Sequence, residues 1–164
     1  MKKLVLSATL LLTVATFAQK DELKTLKKIY SKDVISDKDL QAYKSASDAL
    51  ETLASEESDK VYAKFYKIMY PTLVMASKGT KATMQDQVSL YTPEFIKEYG
   101  QVINETLEFE KKSGKKIYTD ELIKEKSEFK KEIFAIAMNL NNTSKFKEAS
   151  ALFYSLYTLD PKEE

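Results

Sequence analysis

The sequence places a serine three residues before a lysine at Ser113/Lys116, Ser127/Lys130 and Ser144/Lys147, the spacing at which a lysine amine could deprotonate a serine hydroxyl for nucleophilic attack. With 14 serines and 26 lysines among 164 residues, about two such pairs arise by chance, and the companion motifs of enzymes that use serine and lysine are absent. The chain contains no histidine and no cysteine, so it lacks the commonest general base, the commonest metal ligand and the strongest nucleophile. Neighbouring acids such as Glu56-Glu57 or Asp120-Glu121 diverge by about 100° on a helix and cannot flank one bond. Asp37-Lys38-Asp39 lacks the glycine and distal glutamate of a calcium loop, which leaves helix capping as its expected work. These residues predict a protein that is not an enzyme, with no catalytic residue, metal or cofactor. A hydrolase using carboxylates or a Ser/Lys pair is the remote alternative.

Binding is the chemistry that remains. Tyr62, Tyr66 and Tyr70 recur at intervals of four, where phenolic rings could stack on a glycan, a small ligand or a peptide with their hydroxyls left for hydrogen bonds. The plainer reading of the same row is a half-buried core boundary. All the basic residues are lysine, and the net charge is +1. Without guanidinium forks or a net positive field, no nucleic-acid partner is expected. The densest basic stretch, Lys111-Lys112-Ser113-Gly114-Lys115-Lys116, reads as a solvated turn that places cations at a helix C-terminus, where they complement the dipole.

The first residues point to a compartment. Lys2 and Lys3, an apolar run over residues 4–14 and the small-x-small site Thr16-Phe17-Ala18 before Gln19 have the form of a cleaved secretory signal peptide spanning 1–18. The run is well short of the roughly 20 residues that span a bilayer, so no membrane insertion is expected after cleavage. The absence of cysteine excludes both a lipid-bearing first residue and a disulfide framework. The expected location is the periplasm or the extracellular space.

Residues 19–164 suit a single domain able to bury its own core. Scarce glycine and proline against abundant Leu, Ala, Lys and Glu predict an all-α fold. A short amphipathic helix is expected over 21–31, and a second opens at Ser36, whose pairing with Asp39 resembles a capping box. A third, aromatic-rich helix runs over 59–77 with Pro71 kinking it, and Gly79 begins a polar loop reaching Gln87. Thr92 can then cap, Pro93 fits the first helical position, and Tyr91 with Ile96 could staple the entry to a helix over 93–112. Gly114 ends that helix. Thr119 or Asp120 opens another to about Asn141, and Ser144 opens a last one that Pro161 closes. About six helices in antiparallel hairpins are predicted.

Residues 130–161 carry the most specific pattern. Small residues stand where two helices must touch, Ala137 on the first and Ala149 on the second, with Phe146 at the entry of the second, Phe153 one turn beyond Ala149, and Leu159-Asp160-Pro161 ending it. The runs Glu94-Phe95-Ile96-Lys97-Glu98 and Glu128-Phe129-Lys130-Lys131-Glu132 lie 34 residues apart, the period of a tetratricopeptide array, although the echo covers one helix only. The segment resembles the tetratricopeptide (TPR) repeat family, and the whole chain is similar to short secreted TPR-type proteins of Gram-negative bacteria.

That resemblance implies a right-handed α-solenoid of helix pairs whose first helices line a groove for an unidentified protein or peptide. By the same resemblance Ile133, Ile136, Ala137, Leu140, Phe146, Ala149, Phe153 and Leu156 would pack. Lys131, Phe134, Ala135, Met138, Asn141 and Asn142 would face the groove. The pattern is departed from at Leu156, where a small residue is usual, and at Ser144, where a turn glycine is usual. Ala135 and Met138 also stand where members that clamp a peptide's terminal carboxylate carry lysine or asparagine. Because the final helix has no successor to cover it, a flank of Leu152, Tyr154 and Tyr157 is expected to be open, with homodimerisation through it as one outcome.

Overall fold

A computed structural model of the chain describes residues 19–159. The leader expected at 1–18 and the closing Asp160-Pro161 lie outside the described residues. Within them the protein is all-α, with no strand. By the density of backbone contacts the chain forms two compact units, one ending at Ser77 and the other beginning at Lys78.

The first unit contains α1 over residues 19–30, α2 (Asp37–Leu53), α3 (Glu57–Ile68) and all but the last residue of α4 (Tyr70–Lys78). The expected capping box is present at the start of α2. Ser36 Oγ accepts from the Asp39 backbone N–H at 3.2 Å, and the Asp39 carboxylate accepts in return from the Ser36 N–H at 3.1 Å. Lys32 donates to the same carboxylate at 2.5 Å, so Asp39 caps the helix and ties down the preceding loop. The apolar stripe of α2 buries Tyr43, Ala46 and Leu50 against α3, whose Phe65 and Tyr66 are fully buried. Each such side chain contributes on the order of 2 kcal/mol by leaving water.

Pro71 does more than kink the third helix. It separates α3 from α4 at Met69, because its nitrogen has no hydrogen to give the preceding turn. Side-chain hydroxyls donate to carbonyls near the break: Tyr43 Oη to the Tyr66 oxygen at 2.7 Å, and Thr72 Oγ1 to the Met69 oxygen at 2.7 Å, which also accepts from the Leu73 N–H at 3.1 Å.

The second unit holds a 3₁₀ turn (Gly79–Lys81), α5 (Met84–Leu90), α6 (Pro93–Ser113), α7 (Thr119–Asn142) and α8 (Phe146–Leu159). Helix α5 replaces much of the expected polar loop. A second capping box starts it: Thr83 Oγ1 accepts from the Asp86 N–H at 3.1 Å, while Asp86 accepts from the Thr83 N–H at 2.9 Å and from Lys78 at 2.5 Å. Thr92 caps α6 by accepting from the Phe95 N–H, Pro93 occupies the first turn, and Gly114 closes the helix with φ +68°. Tyr91 stacks on Phe95, with ring centroids 5.9 Å apart, at the entry where a staple to Ile96 was expected.

Helix α8 packs on both α7 and α6. Its crossing with α6 is close at Gly100, where an added Cβ would stand 2.4 Å from Leu159 Cδ2. Leu152 is buried, which corrects the expectation that it lies on an open flank; Tyr154 and Tyr157 on the same helix are exposed.

Candidate functional site

Helix α7 carries most of the residues expected to bind, so its placement decides what they can do. Tyr118, the residue just before the helix, provides no side-chain cap. The Glu110 carboxylate, buried at the end of α6, does that work instead. It accepts from the Tyr118 N–H at 2.9 and 3.1 Å and from Thr119 Oγ1 at 2.5 Å, which places a negative charge at the positive end of the α7 dipole. Asp120 and Glu121 in the first turn add to it. At the other end the Lys145 N–H donates to the Leu140 oxygen at 2.9 Å and the Ser144 N–H to the Asn141 oxygen at 3.1 Å. This Schellman turn requires a left-handed residue, and Ser144 supplies it with φ +61°.

Between these ends α7 is divided lengthwise. Leu122, Phe129, Ile133, Ile136, Ala137 and Leu140 are buried. The opposite side exposes Lys131, Phe134, Ala135, Met138, Asn141 and Asn142, the six residues assigned to a groove. Phe134 is 53% exposed and Met138 39%. Phe134 meets Phe153 of α8 edge to face, with centroids 5.7 Å apart, so the seam between the helices is filled by rings. Lys131 pairs with Glu128 at 2.9 Å, holding that carboxyl below its usual range, first by the hydrogen bond and then by charge.

The second helix of the expected repeat departs at its start. Ala149 is buried as expected, but Phe146 is 61% exposed and joins the outward surface instead of the core. As the first residue of α8 it lies at the edge of that helix's contact with its neighbours. The described residues expose eight large apolar side chains, and six of them belong to α7 and α8: Ile123, Phe134, Met138, Phe146, Tyr154 and Tyr157.

No family model matches this chain, and no curated protein or solved structure matches it. The tyrosine row lies in the first unit, where Tyr66 is fully buried and Tyr62 is 8% exposed. Tyr66 is ringed by Tyr30, Tyr43 and Phe65 at centroid distances of 6.2, 6.2 and 5.2 Å, and Tyr70 stacks on Tyr43 at 6.4 Å. These rings already serve as one another's partners, so the row is a core surface and Tyr66 has no open face for a ligand.

A second aromatic cluster carries no distinctive spacing in the sequence. Tyr99 lies on Phe129, with centroids 4.1 Å apart and planes at 28°, and Tyr91 meets Phe129 edge to face at 5.4 Å. Burial, and then the nearby carboxylates, raise both phenols above their ordinary range: Glu132 acts on Tyr91, and Glu125 is the larger of the two acting on Tyr99. Burial also raises the Glu132 carboxyl. A nucleophilic or general-base phenol needs the opposite shift, so this arrangement favours packing over chemistry. Among the described residues no group of three acidic side chains could hold a metal ion, and no helix is long and apolar enough to cross a membrane.

Proposed function

We propose that the protein is a non-enzymatic helical interaction module, exported by its leader to the periplasm or beyond, that binds a protein or peptide through the outward side of α7 and α8. The observation that carries this reading is the concentration of exposed apolar side chains on these two helices, directly over well-buried residues of the same helices. A soluble surface seldom gathers large apolar groups without a use for them, and aromatic residues with methionine suit a docking centre that adapts to its ligand.

The TPR resemblance belongs to the same proposal. The buried set Ile133, Ile136, Ala137, Leu140 and Ala149, set against the exposed set Lys131, Phe134, Met138, Asn141 and Asn142, supports a repeat-like α7 and α8, and a right-handed solenoid of antiparallel hairpins is the arrangement it would extend. The test is a quantitative pull-down from the producing cell's envelope extract with wild type beside Phe134→Ala/Met138→Ala, the variant's helicity first verified by circular dichroism. Partners retained by wild type and lost by the variant are expected. Equal recovery by both proteins would refute docking through this face.

A further inference from the structure

Helix α1, in the first unit, carries a row of one charge. Lys20, Lys24, Lys27 and Lys28 share one side of the helix, and all four are exposed. The opposite side is committed to the core: Leu26 and Ile29 are buried, and Tyr30 meets Phe65 edge to face with centroids 5.5 Å apart. The acids of the helix are half as many as its lysines, Asp21 beside the row and Glu22 on the far side. None of the four lysines makes an ion pair among the described residues.

The row has a local cost. Lys20 with Lys24, and Lys24 with Lys28, are like charges four residues apart, which repel on a helix surface, and Lys20 stands in the first turn, where the dipole disfavours a cation. Stabilisation of the helix end accounts for Lys27 and Lys28 but not for Lys20 and Lys24. An anionic surface laid against this side offsets the repulsion and attracts all four charges. The chemistry of the row selects among such surfaces. A protein interface centres on apolar and aromatic groups and is depleted in lysine, whereas a layer of lipid phosphates needs only charge, to which each lysine adds. The row offers no apolar side chain. Going beyond docking through α7 and α8, we propose that α1 adsorbs the protein to a membrane surface rich in anionic phospholipid. The lysines lie along the headgroups over about 12 Å, eight residues of helix. Because the apolar side of α1 is held in the core, the contact is adsorption without insertion.

The test is co-sedimentation of the protein, purified from the producing cells, with vesicles of equal parts phosphatidylglycerol and phosphatidylcholine, beside vesicles of phosphatidylcholine alone. Wild type is expected on the anionic vesicles only, and its binding should weaken severalfold as salt rises from about 50 to about 300 mM. Lys20→Gln/Lys24→Gln/Lys27→Gln/Lys28→Gln, its helicity verified by circular dichroism, should bind about tenfold more weakly. Lys111→Gln/Lys112→Gln/Lys115→Gln/Lys116→Gln removes the same charge at the end of α6, where Lys112 pairs with Glu108 and Asp120 and Glu121 follow, and should bind as wild type does. Absence of wild type from the anionic vesicles, equal binding to both kinds, or equal losses in the two variants would overturn the proposal. Binding to a DNA duplex that is lost in the α1 variant, with no binding to vesicles, would make the occupant a nucleic acid and overturn the lipid assignment.

Discussion

Ser144 holds a left-handed backbone conformation that ordinarily belongs to glycine, and the whole turn from α7 into α8 passes through it. Ser144→Gly should therefore stabilise the fold by about 0.5–1 kcal/mol, the relief of the Cβ clash exceeding the added freedom of the unfolded chain. Urea unfolding of the two proteins measures this difference, and a loss of stability would contradict the turn geometry. Glu132 presents a different local cost. Its carboxyl is raised by burial, so the folded state favours the protonated form; the stability it contributes is present below the ordinary carboxylate range and is lost as pH rises through the raised value. Glu132→Gln should be more stable than wild type at pH 7, with the difference closing as pH falls below about 4. Unfolding curves at the two pH values check both the sign and the window.

At the scale of elements, helices whose start signals are local were legible in the sequence. Ser36 with Asp39 marks α2, and Thr92 with Pro93 marks α6, because each cap bonds within three residues of itself. Helix α5 has a capping box as good, Thr83 with Asp86, but only seven residues follow it and none is buried, so no apolar stripe announced it. The start of α7 was legible only in part. Its cap is Glu110, eight residues before Tyr118 and on another helix, a contact that no window along the chain displays. Glu110→Ala should cost about 2–3 kcal/mol, since it strips a charged acceptor from a buried N–H, and Glu110→Gln should cost less because an amide oxygen can still accept. Urea midpoints for the three proteins rank the effect. Phe134 and Met138 are exposed, as the TPR resemblance implied, whereas Phe146, which the same resemblance set to pack, is the first residue of α8 and lies outside the helix contact. Tyrosines at intervals of four look the same whether rings or a ligand cover them, and here rings do.

For the molecule as a whole, the charges that tie loops to helices behave alike in both units. Asp39 is held well below the usual carboxylate range, first by the hydrogen bond from Lys32 and then by those from Ser36, and Asp86 by the equivalent bonds from Lys78 and Thr83. A carboxyl whose folded value is depressed contributes stability that is present above its unfolded value and is lost as pH falls through the folded one. Asp39→Asn/Asp86→Asn should accordingly be less stable than wild type at pH 7, with a gap that narrows only below about pH 4; thermal melts from pH 7 downward follow it. A gap that instead widens in acid would contradict the capping roles of both residues.

The face on α7 and α8 is tested most directly by placing a photo-activated cross-linking amino acid at position 134 or 138 in the producing cells, with position 51 in the first unit, an exposed glutamate on α2, as the comparison. Discrete adducts to a protein from 134 and 138, with none from 51, are the predicted result. No adduct from 134 and 138, or the same adducts from 51, would contradict docking through this face.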